Sequence, residues 1–319
     1  MRSGEGDVAL ASTGATLHSV ASIGTYDPFL PLRVARLVRK LKPDIVHTWL
    51  SLMDVFAGAA RLFDRVPRVL SERSDVAGYR DSAFIRARIA MGRRAAAIVT
   101  NSEGGRSYWS NFVDESRIHL VPNIVPLAEI DGAAARRDTG DEPIILFAGR
   151  FSSERNVERL LDALALVFPL GSARAVFCGD GPLRAAMEQK TRDLGIADRC
   201  LFLGEVSDVW SWMKSASVLV SVSVFEGEPN AVLEAIACGT PLVLSDIPAH
   251  RALGGESAAR MVDAFSADSI ASGIEAVLVR RDEATRRARN ALQSIEGRSS
   301  ADIAAGYAEI YRGVRRGRT

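Results

Sequence analysis

Short β-branched runs alternate with amphipathic stretches from one end of this chain to the other, and that alternation most narrows what it can fold into. "DIVHTW", "RVLSER", "AAIVTNS" and "IHLVPN" read as strands of a first half. "IILFAGR", "ARAVFCG", "CLFLGEV", "SVLVSVSV" and "PLVLSD" read as strands of a second. Most lack polar alternation, as strands do when helices cover both faces of their sheet. Between them, "ERNVERLLDALALVF" places Val157, Leu160, Leu161, Leu164 and Phe168 on one helical face. Strand–helix alternation of this kind implies parallel sheets with right-handed crossovers. The stretch 126–143, "PLAEIDGAAARRDTGDEP", has no apolar period and predicts a connector. The expected fold class is therefore α/β, with two Rossmann-like doubly wound domains, 1–135 and 136–300. Ligands of such sheets bind at the carboxyl ends of strands, here in the cleft between the domains.

With 319 residues, each domain can bury its own core. Cys178, Cys200 and Cys238 are scattered without metal-ligand spacing, so reduced thiols in a cytoplasmic protein are expected. The first residues, "MRSGEGDVALASTGATLHSVAS", lack the basic-then-apolar order of a secretory signal, and no run approaches a membrane span. Charge is uneven, with 19 Lys+Arg against 15 Asp+Glu in residues 1–140 and 21 against 24 beyond. Basic residues recur in "PLRVARLVRKLKPD" and "FIRARIAMGRR". Those stretches read first as solvated helix faces. As a binding surface they would suit anionic lipid at the inner face of a membrane, or an anionic acceptor. Nucleic acid is not expected, since no aromatic residues interleave with the charges.

One stretch points to chemistry. "VFEGEPNAVLEAIACGTPLV" runs from Val224 to Val243, with Pro229 suited to open a helix and Gly239 to stop it. Glu226 then lies in a strand-to-helix loop. Glu234 lies five residues into the helix, roughly 7.5 Å along its axis. That is too far for a shared proton, but it suits the two ends of an elongated ligand. The backbone N–H groups of Asn230, Ala231 and Val232 open the helix between them, a place for an anion. Carboxylate, anion site, carboxylate is the order a nucleotide sugar needs for its sugar, diphosphate and ribose. "FAGRFSSERN" adds Arg150 and Arg155, two guanidiniums able to pair with a diphosphate. "FCGDGPL" sets Gly179 and Gly181 after a strand, where backbone can approach a ligand closely. It is not the G-x-G-x-x-G fingerprint, so no nicotinamide cofactor is expected. Nor does a D-x-D pair appear, so no metal-held diphosphate is expected either.

These segments, with "AGRF…ERNVERLLDAL", "CLFLGEVSDV" and the closing "YAEIYRGV", resemble the retaining GT-B fold glycosyltransferases of family four, most strongly over residues 143–315. The resemblance implies a metal-independent transfer of sugar from a nucleotide diphosphate to a glycan or lipid-linked acceptor, with retained configuration and no cofactor. It implies Glu226, Arg150 and Arg155 as catalytic. Gly149, Gly179, Gly181, Gly227, Asn230, Ala231, Val232 and Glu234 would bind the donor. Residues 301–319 would form a helix packing back toward the first domain.

The chain departs from that family in three ways. Arginine stands at 155 where lysine is usual. In "KPDIVHTWLSLMDVFAG" the places where the family often has a histidine hold Trp49 and Leu52, and His47 reads as a core histidine. The family's opening strand and glycine-rich loop have no counterpart, which predicts a first sheet lacking a central member and weak transfer. Trp49, Glu72 and Arg73 are expected to face the cleft as acceptor contacts. Asn101 and Ser102 read as a helix cap. The competing expectation is a non-catalytic nucleotide-sugar-binding subunit, or a truncated enzyme needing a partner.

Overall fold

The computed structural model describes residues 10, 13–24, 27–73, 79, 81–136 and 140–317. The first sheet holds β1 (Val46–Thr48), β2 (Arg68–Glu72), β3 (Ala97–Thr100) and β4 (Ile118–Leu120), in the order β1-β2-β3-β4. All its pairings are parallel. This ladder is unbroken and β1 stands at its edge, so the expected loss of a central strand leaves no gap among the described residues. The second sheet holds β5 (Ile144–Ala148), β6 (Arg174–Cys178), β7 (Cys200–Gly204), β8 (Val218–Ser221), β9 (Leu242–Ser245) and β10 (Arg260–Val262). Its order, β10-β9-β8-β5-β6-β7, reverses direction between β5 and β8. A crevice opens at such a reversal, because the loops after the two strands run away from each other.

Period-two geometry explains the near-continuous apolar strands. In β5, Ile145 and Phe147 enter the core on one face of the sheet, while Ile144 and Leu146 enter the core on the other. Leu160, Leu161 and Leu164 of the helix Val157–Val167 cover the first face. Leu233 and Ile236 of the helix Asn230–Ala237 cover the second.

Three features differ from the reading of the sequence or extend it. The stretch expected to be a plain connector contains the helix Leu127–Gly132, and its Ile130, with Val125, is buried in the core of the second sheet. Those two side chains come too few to show a period, yet they anchor the segment. A tenth strand, Arg260–Val262, closes the edge of the second sheet. The helix Ser300–Arg316 lays Ile303 and Ile310 against Val69, Ala97 and Val99 of the first sheet.

The first half also buries a charge network. Arg88, on the helix Ala83–Gly92, is 2% exposed and donates to Asp54 at 2.7 Å, to Glu72 at 2.6 Å and to the Tyr79 hydroxyl at 2.7 Å. The Trp109 indole N–H donates to the same Glu72 oxygen at 3.0 Å. One cation between two buried carboxylates leaves excess negative charge, and burial pushes the Asp54 carboxyl up to about 6.

Candidate active site

The loop after β5 and the loop after β8 face each other across the point where the sheet order reverses. The first carries Arg150 and Arg155, the second Ser223 through Glu228. They meet in an ion pair: Arg155 Nη1 lies 2.5 Å from Glu226 Oε1, which also accepts from Ser223 Oγ at 2.7 Å. The Glu226 side chain is 4% exposed. Burial pushes its carboxyl above the ordinary range, with Arg155 and Ser223 pulling the other way. Arg155, expected from the sequence to lie beside a diphosphate, is thus paired with Glu226. Arg150 stands exposed in the same loop and does not line the cavity that contains Glu226.

That cavity, about 610 Å³, lies between the two halves. Arg155, Glu226, Gly227 and Asn230 line one side, and Trp49, Arg73 and Tyr307 the other. A second cavity, about 510 Å³, shares Glu226, Gly227 and Glu228 with it and continues along the apolar side chains of Phe225, Ile247 and Leu253. A larger cavity, about 970 Å³, lies between the first sheet and the last helix and shares none of these groups.

Glu234 sits where the spacing put it, on the helix Asn230–Ala237, half-buried, and accepts from the Trp210 indole at 3.0 Å. Burial raises its carboxyl as well. It lines neither the cavity of Glu226 nor the one that adjoins it. Of the three N–H groups expected to open this helix toward an anion, that of Val232 already donates to the Pro229 carbonyl at 3.0 Å. Its side chain is buried too, which leaves Asn230 and Ala231 as the helix-opening N–H groups.

The glycines have a different cause from the one expected. A Cβ on Gly179 would fall 2.0 Å from the Gly149 carbonyl oxygen, and one on Gly181 would fall 2.6 Å from that of Phe151. The loops after β5 and β6 are packed backbone against backbone, sealed by Gly149 N–H to Cys178 O and Phe151 N–H to Asp180 O, each 2.9 Å. Gly179 is therefore required by loop contact, and its φ of 132° is one that a side chain rarely adopts.

On the first-half side, Trp49 and Arg73 do face the cavity, with the guanidinium 4.6 Å from the indole ring centre. Glu72 does not: it is 1% exposed and committed to Arg88 and Trp109, so the expected acceptor contact is corrected to a buried structural one. His47 is half-buried between Tyr311 (2.7 Å) and Ser71 (2.8 Å). Burial and the nearby Arg73 push its imidazole down to about 4. Ser102 caps the helix Glu103–Ser110, accepting from Gly105 N–H at 3.2 Å.

Three residues that local reading missed tie the halves together. Glu228 accepts the Asn123 N–H at 2.6 Å and pairs with Arg298. Asn123 in turn donates to Asn230 Oδ1 at 2.6 Å. No local pattern marks these contacts, because the partners lie 105, 70 and 107 residues apart.

Two parallel sheets, with an arginine–glutamate ion pair at the reversal of the second, define a GT-B type two-domain α/β protein. The family profile described as "Glycosyl transferases group 1" matches residues 133–294, just over half the chain, and "Glycosyltransferase Family 4" matches residues 5–129. The chain belongs to the group 1 glycosyltransferase family. The lipopolysaccharide core biosynthesis glycosyltransferase LpsE of Rhizobium meliloti is 27% identical over 279 residues, covering 85% of this chain and 76% of that protein. A Campylobacter jejuni diphospho-undecaprenol 4-alpha-N-acetylgalactosaminyltransferase is 24% identical, covering 82% and 73%. The structure of Anabaena HepE with UDP and glucose shares the fold, with a TM-score of 0.86 at 16% identity, covering 98% of this chain and 90% of that one.

Proposed function

We propose that the chain transfers a sugar from a nucleoside diphosphate to a hydroxyl of a glycan or lipid-linked acceptor, with retention of configuration and without a metal. The observation that carries this reading is the Arg155–Glu226 pair buried where the sheet order reverses. In the proposed complex Glu226 holds hydroxyls of the donor sugar and Glu234 those of the ribose. Arg155 exchanges its carboxylate for the diphosphate, joined by Arg150 and by the N–H groups of Asn230 and Ala231. The bond from the anomeric carbon to the phosphate oxygen breaks, and its electron pair leaves with the nucleoside diphosphate. The acceptor oxygen bonds to the same carbon from the same face, and its proton passes to the departing phosphate. Fixed cations and helix N–H groups stabilise the negative charge as it develops, where they need no reorganisation. The names of the relatives support the acceptor class, since they include lipopolysaccharide core and undecaprenol-linked transfer. An inner membrane face suits both, and among the described residues no helix is long and apolar enough to cross a membrane.

Calorimetry against UDP-, GDP-, ADP- and dTDP-sugars, followed by a transfer assay with and without EDTA, tests the reading. One nucleotide sugar should bind, and transfer should survive chelation. Binding of none, or strict dependence on manganese or magnesium, would sink it.

A further inference from the structure

We propose that Trp49, Arg73, Asn101 and Tyr307 form the acceptor subsite, and that the acceptor presents there a sugar ring carrying an anionic group. The inference rests on the donor side being where the proposed function puts it. The carboxylates of the cleft are already engaged, Glu226 with Arg155, Glu228 with Arg298 and Glu154 with the Ser152 hydroxyl. Arg73 differs. It donates to Asn123 Oδ1 and to the Tyr307 hydroxyl, both neutral, and among the described residues it has no carboxylate partner. A guanidinium has five N–H donors, so part of its fork remains for a ligand.

Its surroundings are built to hold a ring. Trp49 is 49% exposed while lining the cavity, and its indole lies 5.5 Å from the Tyr307 ring. His47 supports it from behind at 4.8 Å. The Arg73 guanidinium lies over the indole ring, 4.6 Å from its centre, and the part of the indole that stays exposed suits the C–H face of a pyranose beside the cation. Asn101 is the independent sign of a missing partner. It is 4% exposed and lines the same cavity, and its amide nitrogen donates to Asn123 at 3.2 Å. Its carbonyl oxygen is buried without a hydrogen bond, which costs free energy until some donor reaches it. A phosphate or carboxylate on the acceptor supplies the counter-charge that no described residue gives Arg73, and a sugar hydroxyl on the same molecule that displaces the groups covering the Asn101 oxygen supplies its donor.

The test uses the full chain saturated with UDP, or with GDP if the nucleotide panel selects it, so that the donor's phosphate sites are filled. Methyl β-glucuronide, glucose 1-phosphate and methyl β-glucoside are titrated in turn by saturation-transfer NMR. At least one anionic probe should bind about tenfold more tightly than the neutral glucoside, the value expected for one charged hydrogen-bonded contact. Which probe gains identifies the anion as carboxylate or phosphate. Arg73→Gln should erase the preference, Arg73→Lys should keep part of it, and Trp49→Ala should weaken all three probes alike. Equal affinities for all three in the unaltered chain would overturn the inference, as would a preference that survives Arg73→Gln. Failure to bind any nucleotide would instead count against the donor reading, so the two failures are distinguishable.

Discussion

At the scale of single residues, the ion pair at the sheet reversal and Gly179 in the loop after β6 make separate demands. Glu226→Ala would leave Arg155 without its partner and the donor sugar without its acceptor of hydrogen bonds. Transfer should fall a hundredfold or more, by analogy with the roughly 2.7–4 kcal/mol lost with one transition-state contact. Glu234→Ala should act on donor affinity instead, since ribose contacts are made in ground and transition states alike. Steady-state kinetics would show equal losses of turnover in both variants if this division were wrong. Gly179→Ala makes a different prediction. Its methyl would meet the Gly149 carbonyl, so the chain should lose about 1–3 kcal/mol of stability, read from urea unfolding. An unchanged midpoint would mean that the two loops are not packed as described. These residues were legible because their placement is local: a strand end, a loop and five residues of helix determine where Glu226 and Glu234 stand. Val232 was misjudged because the carbonyl that takes its N–H depends on how Pro229 turns. Spacing alone does not contain that.

Among the elements, apolar runs with both faces covered marked the strands well, and β10 escaped because three residues, Arg260, Met261 and Val262, form no run. Glu72 shows the harder limit. Its position at the end of β2 suggested the cleft, but Arg88 and Trp109 reach it from helices 16 and 37 residues away. Only the packing of those helices decides which way the carboxylate turns. The network they form makes a prediction of its own. Arg88→Ala would strand Asp54 and Glu72 in the interior without a cation, and breaking a buried pair from one side costs about 3–5 kcal/mol. Thermal unfolding of this variant should therefore begin well below that of the parent. A loss under about 1 kcal/mol, typical of an exposed pair, would show that water reaches the network.

For the whole molecule, the cleft is a joint product of both halves and of the last helix. Asn123, Glu228 and Arg298 bridge the halves, and the helix Ser300–Arg316 brings Tyr307 to the cavity while burying Ile303 and Ile310 on the first sheet. Removing residues 300–319 should uncover Val69, Ala97 and Val99. Limited proteolysis should then cut the first half faster and spare the second; equal resistance with and without the helix would contradict that packing. The central claim is that Glu226 and Glu234 hold opposite ends of one nucleotide sugar laid along the crevice. Saturation-transfer NMR tests it most directly, with the nucleotide sugar that the panel selects and the chain in three forms: unaltered, Glu226→Gln and Glu234→Gln. The account predicts that Glu226→Gln weakens saturation at the hexose protons and spares the ribose, and that Glu234→Gln does the reverse. Saturation maps that are the same in all three forms would contradict it.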